Sequence, residues 1–126
     1  MALTNKKILI VEDNKEYLWL LRQSFDNQSF AVLYALDGQE GLDMAQKEKP
    51  DLIIADIQLP KMDGIAMAKN IKEKGINCQI IFLTNFNDSM HISDAINAVG
   101  QTDYIVKADV HIDAIVDRVK SKLGIS

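Results

Sequence analysis

The chain has 126 residues and a formal net charge of −4, which leaves room for one hydrophobic core and disfavours a basic nucleic-acid-binding face. Cys78 is the sole cysteine, which excludes an intrachain disulfide and a cysteine-built metal cage. No apolar run approaches the roughly 20 residues that a membrane span needs, and the first seven residues lack the apolar stretch of a signal peptide. The expectation is therefore a single domain over 1–126, cytoplasmic, with neither membrane nor nucleic acid as a direct partner.

The elements follow in chain order. Residues 8–11 (Ile8, Leu9, Ile10, Val11) form an unbroken apolar run that ends in Glu12 and Asp13. A helix is predicted over 14–26, with Asn14 as N-cap and Tyr17, Leu20, Leu21 and Ser24 on the inward face. Residues 30–34 read as a second strand, followed by Ala35 and Leu36, which carry no reactive group. A second helix over 38–47 turns Leu42 and Ala45 inward, and Pro50 lies just beyond its end. The third strand, 52–55, ends in Asp56. Asp63 caps a third helix through Ile65, Ala68, Ile71 and Lys72, which Gly75 stops. The fourth strand, 80–83, ends in Thr84, and a more polar fourth helix is expected over 87–99. The fifth strand, 104–106, ends in Lys107. A fifth helix is expected to begin near Ala108 and to place Ile112, Ile115, Val116, Val119 and Leu123 on one face.

Strands that are apolar throughout, rather than alternating, are covered on both faces. Five strand–helix alternations with right-handed crossovers then give an α/β fold: a doubly wound (βα)5 sheet of five parallel strands. The flavodoxin-like order 2-1-3-4-5 is preferred because it makes sense of the strand ends. In such a sheet, ligands bind beyond the carboxyl ends where strand order reverses, here between strands one and three. Glu12, Asp13, Asp56, Thr84 and Lys107 then converge on one crevice, and the reaction-free second strand lies at an edge.

Three crowded carboxylates repel one another unless a cation is supplied, and a hard divalent ion with oxygen ligands, Mg²⁺ above all, suits them. Lys107 adds an ammonium and Thr84 a hydroxyl donor, the groups that a transferring phosphoryl oxygen needs. Asp56 is the best-placed nucleophile, since a carboxylate can form an acyl phosphate.

The runs Ile8 to Asp13, Asp51 to Asp56 with Leu59 to Gly64, Leu83 with Thr84, and Asp103 to Lys107 together resemble the receiver domain of two-component response regulators. The resemblance covers essentially the whole chain. It implies a phosphoacceptor that catalyses its own phosphorylation and loses the group slowly, rather than a turnover enzyme. The donor would be a phosphohistidine on a sensor histidine kinase or a histidine phosphotransfer protein, and the acceptor Asp56. It also implies Mg²⁺ held by Glu12, Asp13, Asp56 and the backbone carbonyl of Gln58, with Thr84 and Lys107 on the phosphoryl oxygens. Thr84 and Tyr104 would act as the switch, altering the surface of helix four, strand five and helix five for a downstream effector or a phosphorylation-dependent homodimer; otherwise the protein is a monomer.

This chain departs from the family pattern at three places. Ala108 stands where a proline, joined by a cis bond, usually follows the lysine. A cis bond to a non-proline residue costs about 2.5–4 kcal/mol, so a trans Lys107–Ala108 bond and an altered fifth loop are expected. Asn85 is larger than the small residue usual after Thr84, and Phe86 is apolar where polar groups are common; both are expected to hinder an attacking water and lengthen phosphoryl lifetime.

Other readings compete. A phosphohydrolase resembling haloacid dehalogenases needs a second aspartate where Gln58 stands, and glutamine cannot protonate a leaving group. A flavin or nucleotide binder would offer glycines or hydroxyls in the first loop, where Glu12, Asp13, Asn14, Lys15 and Glu16 stand instead. A degenerate receiver acting only as a protein-interaction module is the remaining alternative. On helix one, Trp19 falls opposite the inward face, flanked by Leu18 and Arg22. These three residues form either a docking patch for a kinase helix bundle or merely an exposed apolar side chain in polar company. Cys78 is expected to be a small buried hydrophobe near strand four, and His91 and His111 to be solvated.

Overall fold

The structure is a computed structural model, and it describes residues 6–26, 28, 30–85, 93, 97 and 103–124. Five strands, β1 (Lys7–Val11), β2 (Ala31–Ala35), β3 (Leu52–Asp56), β4 (Gln79–Thr84) and β5 (Asp103–Val106), form one sheet in the order β2-β1-β3-β4-β5. All neighbouring pairs are parallel. The expected strand order and flavodoxin-like architecture are therefore present. Helices α1 (Lys15–Asp26), α2 (Gly38–Glu48) and α3 (Gly64–Glu73) and a C-terminal helix (Ile112–Lys122) connect or follow the strands. The predicted helix over 87–99 lies outside the described residues except for Ser93 and Asn97, both of them helical.

The period-two alternation of strand side chains divides the core into two layers. Leu9, Val11, Ile53, Ala55, Ile80 and Phe82 meet Leu42 and Ala45 of α2 and Met67, Ala68 and Ile71 of α3. On the opposite face, Ile8, Ile10, Leu52, Ile54, Ile81, Leu83 and Ile105 meet Leu18, Leu21 and Phe25 of α1 and Ile115, Val116 and Val119 of the C-terminal helix. Both faces of the central strands are thus dry, the physical reason why their sequences do not alternate.

Helix starts follow local chemistry. Asn14 Oδ1 accepts from the Tyr17 N–H at 2.9 Å, Asp37 Oδ1 from the Glu40 N–H at 2.7 Å, and Asp63 Oδ1 from the Ala66 N–H at 2.8 Å. Each cap satisfies a donor that the first helical turn leaves without a partner. Gly75, with φ of 73°, follows the end of α3 in the left-handed region that a glycine enters without strain. Gly64 is required for a different reason: a Cβ there would come within 2.1 Å of the Asp56 carbonyl oxygen, so α3 starts directly against the strand that carries Asp56.

Two expectations about helix faces need correction. On α1 the buried stripe is Leu18, Leu21 and Phe25, while Leu20 is 45% exposed. Leu18, expected on the outer docking patch, is only 8% exposed because it packs into the core between α1, the sheet and the C-terminal helix. The C-terminal helix begins at Ile112, not near Ala108; residues Lys107–Asp109 form a single 3₁₀ turn, and Val110 is extended. The Lys107–Ala108 bond is trans. Among the described residues, no helix is long and apolar enough to cross a membrane.

Candidate phosphoryl and metal site

Glu12 follows β1, Asp56 ends β3 and Lys107 follows β5, and each is in phase with the strand residues that face α1, namely Ile10, Ile54 and Ile105. Strand pairing brings these three ends together although they are far apart in the chain. Their side chains, with Asp13, Asn14, Tyr17, Gln58, Asn85 and Ala108, line a cleft of about 530 Å³. Thr84 is buried at the end of β4, one residue past the level where Leu83 pairs with Asp56, and it pairs with Val106.

Within the cleft, Lys107 Nζ donates to Asp56 Oδ2 at 3.0 Å and to Glu12 Oε1 at 2.5 Å. The remaining oxygens meet backbone donors: the Gln58 N–H reaches Asp56 Oδ1 at 3.2 Å, and the Asn14 N–H reaches Glu12 Oε2 at 3.0 Å. Glu12 and Asp56 are buried, whereas Asp13 is exposed at the rim. Burial raises the pKa of Glu12, helped by the Asp56 charge and opposed by the bond from Lys107. For Lys107, burial acts to lower the pKa, but the hydrogen bonds and charges of Glu12 and Asp56 prevail and raise it.

One carboxylate oxygen from each of Glu12, Asp13 and Asp56 lies within 4.8 Å of the other two. An all-oxygen cluster of this size, two members buried and one open to solvent, fits a hard divalent cation that keeps part of its water. It does not fit a softer metal, which would call for nitrogen or sulfur ligands.

The residues named from the sequence fall into three groups. Glu12, Asp13, Asp56, Gln58 and Lys107 share the cleft wall, and Thr84 sits at the adjoining strand end. Tyr104 lies on β5 with 39% of its surface exposed, and Trp19, 58% exposed, lies with Arg22 on the outer face of α1. His111 is exposed and His91 lies outside the described residues, as do Phe86 and its expected part in the cleft. Cys78 is partly buried just before β4, and burial pushes its thiol up to about 11.

Tyr17 was not expected in the site. Its ring lies under the Lys107 ammonium, 4.4 Å from centroid to Nζ, and burial raises the pKa of its phenol. Sequence patterning places it on the inner face of α1 as a core residue. The available signal was its position one turn after Asp13, at the start of the helix that leaves the acidic loop.

Similarity to known proteins agrees with this geometry. Residues 8–120 match the family model described as response regulator receiver domain. The chain is 34% identical over 119 residues to sporulation initiation phosphotransferase F of Bacillus subtilis, covering 94% of each. It is 36% identical over 103 residues to the alkaline phosphatase synthesis transcriptional regulatory protein PhoP of the same organism, covering 82% of this chain but only 42% of PhoP. Among solved structures, a CheY-like receiver domain protein from Methanospirillum hungatei superposes with a TM-score of 0.86 at 28% identity, covering 96% of this chain and 95% of the other. The CheX-CheY-BeF3-Mg complex from Borrelia burgdorferi superposes with a TM-score of 0.83 at 28% identity, covering 94% and 89%.

Proposed function

The chain belongs to the response regulator receiver family, whose members are phosphoacceptor signalling switches, and on that premise we propose that Asp56 is the residue phosphorylated. The donor is a phosphohistidine on a sensor histidine kinase or a histidine phosphotransfer protein. The observation that carries this reading is the buried Asp56 carboxylate at a strand end, bonded to an ammonium and bordered by two more carboxylates.

A carboxylate oxygen of Asp56 attacks phosphorus in line with the leaving imidazole; a P–O bond forms as the P–N bond breaks. The electron pair goes to the imidazole nitrogen, and the ring, already protonated on its other nitrogen, leaves as neutral imidazole. Lys107, already 3.0 Å from Asp56 Oδ2, holds a phosphoryl oxygen as charge moves off the carboxylate. The Thr84 hydroxyl holds a second oxygen. Glu12, Asp13, Asp56 and the Gln58 carbonyl would bind Mg²⁺, which supplies positive charge against the phosphoryl oxygens. Asn85 on the cleft wall obstructs water and prolongs the acyl phosphate.

Phosphorylation then biases a two-state element. Thr84 moves toward the phosphoryl group and Tyr104 turns inward, changing the face formed by the fourth predicted helix, β5 and the C-terminal helix. An effector or a second copy of the chain reads that face. Trp19, with Leu20 and Arg22 on the exposed side of α1, forms the docking patch for the kinase helices; Trp19→Ala should slow phosphotransfer without altering uptake from a small donor. A purely interacting, degenerate module would have no need of an acidic trio and a lysine gathered in one cleft.

The test is transfer from a histidine-phosphorylated donor protein. Label should move to the wild-type chain and not to Asp56→Asn; transfer to both would move the acceptor elsewhere.

A further inference from the structure

The Lys107 ammonium is held from three directions: by Glu12 Oε1, by Asp56 Oδ2 and by the face of the Tyr17 ring. Lys107 opens an isolated 3₁₀ turn with no side-chain cap, and Ala108 beside it is exposed. Two of the three contacts are also temporary under the proposed chemistry. Glu12 and Asp56 are the carboxylates that a divalent cation would claim, and an Asp56 oxygen becomes part of an acyl phosphate when the phosphoryl group arrives. The ring contact requires neither carboxylate.

The Tyr17 ring offers the negative face of a π system to the ammonium at 4.4 Å, which an aliphatic side chain of similar size would not.

We infer that Tyr17 is a positioning residue whose ring keeps the Lys107 ammonium at the acceptor carboxylate while the neighbouring carboxylates change partners. The inference rests on the phosphoacceptor reading for its consequence, though not for the contact itself. Tyr17 touches neither phosphorus nor the acceptor oxygen in this role; it acts through Lys107.

The experiment follows phosphoryl uptake from acetyl phosphate with Mg²⁺ by time-resolved intact mass. It compares wild type with Tyr17→Phe, Tyr17→Leu and Tyr17→Met, each alone and combined with Lys107→Met. Loss of a partly desolvated cation–π contact should slow uptake by roughly fivefold to tenfold in the Leu and Met variants, with the Phe variant close to wild type. In the Lys107→Met background, Tyr17→Leu should bring no further slowing, because the group that it positions is gone.

A second readout needs no donor and is taken with Mg²⁺ present. NMR order of the Lys107 Cε methylene should fall in the Leu and Met variants and persist in the Phe variant. Uptake as fast in the Leu and Met variants as in wild type would overturn the inference. So would a Phe variant as slow as Leu, or slowing that persists without Lys107. If wild type itself takes up no phosphoryl group, the phosphoacceptor reading fails, and the Lys107 order measurement still decides whether the ring holds the ammonium.

Discussion

Lys107 Nζ lies 3.0 Å from Asp56 Oδ2 while it also bonds Glu12, so one ammonium is shared between two buried carboxylates. Removing it leaves both carboxylates buried without a countercharge. In metal-free buffer at neutral pH, Lys107→Met should lower the unfolding free energy by about 3–5 kcal/mol, the usual penalty for breaking a buried pair from one side. Denaturant titration of both proteins checks this. A loss below about 1 kcal/mol would be the value for an exposed pair and would contradict the burial.

Mg²⁺ should stabilise the fold by mass action, since the acidic cluster exists only when the strands have come together. At a hundred times its Kd the gain is about 2.7 kcal/mol. Asp13→Ala removes the rim ligand and should abolish most of that gain while leaving metal-free stability nearly unchanged, because Asp13 is exposed. Thermal melts with and without Mg²⁺ measure both, and an equal gain in the variant would remove Asp13 from the ligand set.

The strand ends were legible because their chemistry is local. Each central strand is an apolar run covered on both faces, so the first polar residue after it marks where it leaves the core, as Glu12, Asp56 and Lys107 do. Helix orientation was less legible. Leu18 and Leu20 are both leucines on α1, and which of them turns inward depends on Val116 and Val119 of a helix distant in sequence. The contact of Tyr17 with Lys107 is not legible for the same reason: Lys107 reaches the ring only through the pairing of β1, β3, β4 and β5. The C-terminal helix starts later than local sequence suggests: Ala108 and Asp109 are compatible with a helix, but Val110 is extended.

Asn85 lines the cleft beside Asp56 and Lys107. Asn85→Ala should open a path for water and shorten the life of the acyl phosphate by about fivefold to tenfold, roughly 1 to 1.4 kcal/mol at the barrier to hydrolysis. The decay of phosphorylated protein after donor removal reports this directly, and an unchanged decay rate would leave Asn85 without a part in dephosphorylation.

Cys78 carries a pH prediction. Burial pushes its thiol from 9.0 to about 11, so near pH 8 the folded chain holds about a hundredfold less thiolate than an ordinary cysteine. Alkylation by iodoacetamide should be correspondingly slow until denaturant is added. The sign of the stability effect follows. Between pH 9 and 11 the unfolded chain has released a proton that the folded chain retains, so stability falls as pH rises through that window. Cys78→Ala should flatten this part of the pH profile; an identical profile would show that the thiol titrates alike in both states.

Asp56 as the phosphoryl acceptor is open to direct measurement. Wild type and Asp56→Asn should be incubated with Mg²⁺ and acetyl phosphate and weighed intact, with peptide mapping of any modified species. The expected result is one added phosphoryl group in wild type, located at Asp56, absent when Mg²⁺ is chelated and absent in Asp56→Asn. No mass gain in folded wild type, or an equal gain in Asp56→Asn, would contradict it.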